Sequence, residues 1–281
     1  MCRLLGYAAP SPRTTRAVLG GNQSAVFQDM TQLHKDGWGS AWITGATPET
    51  RVVEKERSPL TGEGDSRLTV ALSARLSIAQ LVHLRMATNN MSCKPENTHP
   101  FVRDGFGFAH NGSLAPASAM DAHIAPEILL GLAGDTDSER YLAVIRTKIA
   151  KGCELFEAVC LTVLELRPMF PELSMNAILL SPTHLIAVHA SRDADTPHDL
   201  FDESGLSDDE LPDDHRTEYY LMRQRRFEDG TTVFASSGLD IVGWEPLPAE
   251  SVTMVDLETL ESQTRLLTSI EGPRTDRTLS R

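Results

Sequence analysis

Met1-Cys2-Arg3-Leu4-Leu5-Gly6-Tyr7 opens the chain. Cysteine is small enough at the second position to permit removal of the initiator Met. Cys2 then carries a free α-amine and a thiol on one residue, a nucleophile and its general base together. With a reference pKa of about 7.7–8.0, the amine is partly unprotonated near neutral pH, so no side chain has to supply the base. Residues 2–8 alternate as a short strand, which Pro10 and Pro12 are expected to end. Taken alone, a cysteine at position two is a small apolar residue opening a strand. Three segments further down the chain give it weight.

The composition narrows the possibilities. The 281 residues are 41% hydrophobic and 6% aromatic, enough to build a sizeable core. The formal net charge is -13 and the isoelectric point about 5.1, so a basic footprint for nucleic acid or for an anionic membrane is missing. No apolar run approaches the roughly 18 residues of a membrane span, and no signal peptide is visible. A cytoplasmic protein is expected. Cys2, Cys93, Cys153 and Cys160 form no C-x-x-C pair, which argues against a zinc ribbon or a disulfide framework.

Further along, Asp36-Gly37 is turn chemistry and residues 38–44 alternate as a strand, with 51–56 its hairpin partner. Residues 14–19 and 68–76 read as helices. Residues 77–87 read as a buried strand with Arg85 near its end, an odd place for an unpaired cation. A polar loop runs over 88–99. A strand at 106–109 leads into His110-Asn111-Gly112, a tight turn. Helices are expected at 126–132, 138–151 and 155–166, the second opened by Asp135-Thr136-Asp137 and Glu139, which suit a helix N-terminus. Strands follow at 175–180, 184–189, 219–224, 232–235, 252–256 and 264–267. Residues 192–214 are dense in Asp and Glu and read as a solvated, mobile insertion, with an acidic lid as the alternative. Residues 268–281 read as a disordered tail. Strands, then helices, then strands argue for two sheets with a helical layer rather than a β-α-β sheet.

Four segments carry the chemistry: Cys2; Arg85-Met86-Ala87-Thr88; His110-Asn111-Gly112; and Thr136-Asp137-Ser138-Glu139. In this order and spacing the chain resembles the class II, N-terminal nucleophile glutamine amidotransferases. The opening heptapeptide, Asp36-Gly37-Trp38-Gly39 and Glu96-Asn97-Thr98-His99-Pro100-Phe101 look most like a stand-alone subgroup related to the ergothioneine-pathway γ-glutamyl amidohydrolase. Gly243-Trp244-Glu245-Pro246-Leu247-Pro248 is similar to that subgroup's second half. Ala235-Ser236-Ser237-Gly238 departs from its usual Ala-Ser-Glu-Pro.

The resemblance implies an α+β fold, the four-layer αββα sandwich of N-terminal nucleophile hydrolases, as a single domain over 2–267. It implies Cys2 as nucleophile, Arg85 and Asp137 as substrate ligands, and Asn111 and Gly112 as the oxyanion site. The residue chemistry agrees. A guanidinium pairs with the α-carboxylate of glutamine, and a carboxylate with its α-ammonium. A side-chain amide and a glycine N–H suit a developing oxyanion. Thr88 is a further candidate substrate contact. For Asp137 a helix cap is the alternative, and His110 reads as a packing or hydrogen-bonding residue. His99-Pro100 reads as structural and Cys93 as incidental. No metal or organic cofactor is expected. The substrate is glutamine or a γ-glutamyl small molecule. The product ammonia is released or passed to a separate synthase subunit, since no acceptor domain follows. A non-catalytic glutamine-binding module is the reading from another class.

Overall fold

The computed structural model describes residues 2–87 and 92–267. One antiparallel sheet contains β1 (Cys2–Arg13), β2 (Trp38–Thr44), β3 (Val52–Ser58) and β4 (Ser77–Arg85). A second contains β5 (Phe101–Arg103), β6 (Phe106–Asn111), β7 (Asn176–Leu180) and β8 (His184–His189). The chain then returns to the first sheet with β9 (Arg223–Arg226), β10 (Thr232–Ala235) and β11 (Glu245–Pro246), and to the second with β12 (Ser251–Asp256) and β13 (Ser262–Leu266). The strand orders are β11-β9-β10-β1-β4-β2-β3 and β13-β12-β8-β7-β6-β5. Helices α1 (Thr15–Leu19), α2 (Gly21–Asp29) and α3 (Ser66–Ser73) belong to the first-sheet half. Helices α4 (Pro126–Leu130), α5 (Asp137–Ala150) and α6 (Leu155–Leu166) lie between β6 and β7 in sequence, and α7 (His198–Glu203) follows β8.

The period of two along each strand divides the apolar residues among three cores. Leu4 and Ala8 of β1 face the other sheet and pack with Leu81, Ala109 and Ile178. Leu5, Tyr7 and Ala9 face the opposite way, onto Val18, Phe27, Leu68 and Leu72 of the first helical layer. Across the second sheet, Phe108, Ala177 and Leu179 meet Tyr141, Leu142 and Ile145 of α5 and Val159 and Val163 of α6. The layers therefore run helix, sheet, sheet, helix, which is the expected αββα sandwich. Burying each such Leu or Val contributes about 1.5–3 kcal/mol.

Several boundaries differ from expectation for identifiable reasons. β1 does not stop at Pro10. It continues to Arg13, which pairs with Ser77 after a register shift that leaves Pro10 and Pro12 on an exposed stretch needing no ladder N–H. The strand expected at 219–224 begins only at Arg223, because Tyr219 and Tyr220 are spent on a buried aromatic cluster. Thr136, not Asp137, caps α5: its hydroxyl accepts from the Glu139 N–H at 3.1 Å. The Glu139 carboxylate reaches back to the N–H groups of Ala133 and Gly134. Helix α2 has no counterpart in the sequence reading, since residues 21–29 show no clear apolar stripe. The 192–214 stretch carries α7 and buries Phe201 and Leu211 against Leu33, Met86 and Tyr219. Met1, Thr88 and the 268–281 tail lie outside the described residues.

Candidate active site

The site forms where three strand ends converge: the start of β1, the end of β4 and the end of β6. Strand β1 runs in the middle of its sheet, hydrogen-bonded to β4 on one side and β10 on the other. Cys2 is directly opposite Arg85 in the β1–β4 ladder, and Leu4 opposite His83. Directly paired residues share a face. Leu4 and Leu81 point between the sheets, so Cys2, His83 and Arg85 point there too. On β6, Asn111 shares the parity of Ala109 and faces the same gap. Its Oδ1 accepts from the Cys2 nitrogen at 2.8 Å, joining the two sheets at Cys2.

The start of β1 is held rigidly. The Leu4 N–H donates to Ser236 Oγ at 3.0 Å, and Arg3 Nη1 to Ser237 Oγ at 2.6 Å. The Arg3 guanidinium is fully buried and stacks on the Tyr219 ring at 3.9 Å. Ser236, together with Ser237, where the chain departs from the Ala-Ser-Glu-Pro pattern, thus fastens the strand that carries Cys2.

Asn111 and Gly112 are fixed by packing. The Asn111 carbonyl accepts from Ser174 Oγ at 2.7 Å. A Cβ on Gly112 would lie 1.9 Å from the Ser174 carbonyl oxygen, so no other residue fits there without moving backbone. With Oδ1 engaged by Cys2, the buried Asn111 Nδ2 has no partner among the described residues. An unpartnered buried donor costs about 1–3 kcal/mol and marks a group kept for something else. His110 faces away, toward α5, with its ring nitrogens 3.0 Å from Ser138 Oγ and 3.0 Å from the Ser174 carbonyl. That is the packing and hydrogen-bonding position expected for it.

Arg85 is buried. Its Nη1 donates to the Asp36 carbonyl at 3.1 Å and to Cys93 Sγ at 3.2 Å, while Nη2 has no hydrogen-bond partner among the described residues. Backbone bonds Arg85 N–H to Gly37 O and Asp36 N–H to Arg85 O lock the strand end against the Asp36-Gly37 turn. Cys93 itself is exposed. Asp137, at the first turn of α5, accepts from the Leu114 N–H at 2.7 Å and lies 3.7 Å from His110 Nδ1. It is thereby tied to the loop that follows Gly112. Thr88 lies outside the described residues.

His83 and His99 belong to no motif that points to catalysis, yet they flank Cys2. The two rings lie 4.3 Å apart, and among the described residues none of their four ring nitrogens has a hydrogen-bond partner. The Cys2 sulfur and one nitrogen of each ring lie within 4.8 Å of one another. His99 reaches this position because Gly39, paired with His83 across β2–β4, has no side chain: a Cβ there would sit 2.2 Å from the His99 carbonyl oxygen. The strand alternation 79, 81, 83, 85 is the signal that could have identified His83.

Burial alone would push the Cys2 thiol up. The positive charge at the chain terminus and the His83 imidazole outweigh it and bring the thiol down to about 5. Burial, reinforced by His83, His110 and Arg85, holds His99 well below the ordinary histidine range, so it is neutral at pH 7. Two openings flank the cluster. One, of about 210 Å³, lies beside Asp36 and Met86 and is walled by Leu200 and Glu203. The other, of about 200 Å³, lies beside Ser113 and Ser174 and is walled by Ala194 and Asp195. The acidic 192–214 stretch contributes a wall to both. Among the described residues no helix is long and apolar enough to cross a membrane.

Comparison with known proteins bears on the fold and the family. The chain superposes on a glutamine aminotransferase class-II domain protein from Silicibacter pomeroyi with a TM-score of 0.61 and 18% identity, covering 95% of this chain and 99% of that one. It superposes on the B. subtilis glutamine phosphoribosylpyrophosphate amidotransferase, complexed with ADP and GMP, with a TM-score of 0.60 and 14% identity, over 96% of this chain and 50% of that enzyme. At these identities the likeness shows the fold. A search of curated proteins finds no match. The family model for class II glutamine amidotransferases matches residues 1–239, and the chain belongs to that family.

Proposed function

We propose that the protein hydrolyses the side-chain amide of glutamine, or of a γ-glutamyl amide, through a thioester on Cys2. Removal of Met1 frees the Cys2 α-amine. The amine, through a water, takes the thiol proton, and the thiolate attacks the amide carbon. Asn111 Nδ2 and the Gly112 N–H stabilise the oxyanion. The C–N bond breaks as the leaving nitrogen takes a proton from the α-ammonium, and ammonia or an amine departs. Water then attacks the thioester, giving glutamate and the free thiol. Arg85, with Nη2 unengaged, takes the substrate α-carboxylate. Asp137 takes the α-ammonium, and Thr88 adds a contact. Each step uses groups of the chain itself, with no metal or organic cofactor.

One observation carries this reading. The Cys2 nitrogen donates to Asn111 Oδ1 at 2.8 Å while Asn111 Nδ2 has no partner among the described residues, so one amide orients the base and offers a donor beside the nucleophile. The motif resemblance supports stand-alone hydrolysis of linear γ-glutamyl amides, in the manner of the ergothioneine-pathway amidohydrolases, in the cytoplasm and without nucleic-acid or membrane partners. A second reading, delivery of ammonia to a separate synthase subunit, is favoured by the likeness to half of the larger B. subtilis enzyme. Ammonia release from glutamine by the purified, Met1-free protein tests the proposal. Cys2→Ala should abolish release while leaving the fold intact. Unchanged turnover in Cys2→Ala would overturn Cys2 as the nucleophile, and binding of glutamine with no ammonia release by the Met1-free wild type would favour a glutamine-binding module.

A further inference from the structure

We propose that Cys2, His83 and His99 form a site for a thiophilic divalent cation, zinc above harder ions, and that occupancy silences the enzyme. The three donors come from the start of β1, the end of β4 and the segment before β5. One donor atom from each lies within 4.8 Å of the other two, and all three residues are buried. One thiolate and two imidazoles is a ligand set that zinc favours, whereas calcium and magnesium take oxygen donors. Both rings are buried with all four nitrogens unpartnered. Nothing else among the described residues claims them.

Tetrahedral zinc, with bonds of about 2.3 Å to sulfur and 2.0–2.1 Å to nitrogen, sets neighbouring donors about 3.5 Å apart. The donor atoms, all within 4.8 Å of one another, already lie close to that spacing. The ladder pairings Cys2↔Arg85 and Leu4↔His83 hold two ligands in register. Gly39 admits the third, since any side chain there would displace the His99-Pro100 backbone. The fourth position goes to water or to the matured Cys2 amine, which closes a five-membered chelate with its own sulfur. A thiolate bound to zinc is withdrawn from attack on an amide. The silencing therefore rests on Cys2 being the nucleophile, whereas the site itself does not.

Cobalt(II) titration of the reduced, metal-free, full-length protein tests this. One equivalent should produce visible bands of tetrahedral cobalt and a near-ultraviolet thiolate charge-transfer band, both displaced by zinc. Cys2→Ala should remove the charge-transfer band. His99→Ala should weaken zinc binding by more than about 100-fold, since losing even an outer-shell partner costs 10–100-fold. His99→Cys should restore one-to-one binding with a stronger charge-transfer band, which decides the matter if His99→Ala misfolds. No thiolate band in the wild type, an unchanged band in folded His99→Ala, or no band in His99→Cys would overturn the site. Glutamine hydrolysis should fall with one equivalent of zinc and return with a chelator. A protein that binds cobalt as expected but never releases ammonia would count against the hydrolysis and leave the metal site standing.

Discussion

At the scale of single residues, Asn111 has two jobs that substitution can separate. Its Oδ1 accepts from the Cys2 nitrogen, and its Nδ2 is held buried without a partner. Asn111→Ala removes both and should lower kcat by about 10²–10³, the range for loss of one oxyanion donor. Asn111→Asp keeps an acceptor for the Cys2 amine but cannot donate in its ionised form. Steady-state kinetics should find it nearly as impaired as Asn111→Ala in kcat, with little change in KM. Recovery of wild-type kcat in Asn111→Asp would assign Asn111 to positioning the amine alone. The residues most readable from sequence are those whose chemistry is bound to an unusual place: a cysteine at position two, an arginine at the end of a buried strand, an Asn-Gly turn. His83 and His99 are not readable in this way. A histidine in an apolar strand or before a proline has many ordinary roles, and only the glycine gap at Gly39 brings the two rings beside Cys2.

At the scale of elements, the strands flanking the site are legible because each alternates between two apolar faces, and α5 because acidic residues mark its N-terminus. Less legible are elements held by partners distant in sequence. α7 and the acidic stretch around it are fixed by Phe201, which packs with Tyr219 and His215 beside the buried Arg3 guanidinium. Charge density there obscures one aromatic anchor. Burial and the Arg3 charge bring His215 down to about 2, and burial with Arg3 and His215 holds His34 well below its ordinary range. A histidine depressed in the folded state takes up its proton first in the unfolded chain. Stability is therefore full above pH 6.5, the ordinary histidine value, and declines as pH falls below it toward the folded-state values. Each fully linked proton contributes up to about 1.4 kcal/mol per pH unit. Thermal unfolding should show a Tm falling steadily from pH 6.5 to 4.5, and His215→Phe should flatten that slope. An equal slope in His215→Phe would mean that this cluster is not what senses acid.

At the scale of the whole molecule, the αββα sandwich brings together groups that are 109 residues apart in the chain, Cys2 and Asn111. Sequence order foretells two sheets and a helical layer, because helices and strands come in blocks rather than alternating. It does not foretell which strands neighbour each other. Strand β1 is flanked by β4 and β10, a pairing set by long-range packing of Leu4 and Leu5 into separate cores. The proposed mechanism makes one demand on this architecture above the rest: the nitrogen of Cys2, the first residue of a central strand, has to become the chain terminus to serve as its base. Intact-mass analysis before and after treatment with 6-diazo-5-oxonorleucine, a glutamine-shaped electrophile, measures this directly. The predicted result is a mass lacking Met1 that gains a single adduct, mapped to Cys2 and absent in Cys2→Ala. A matured, folded protein that gains no adduct, or gains it on Cys93, Cys153 or Cys160, would contradict it.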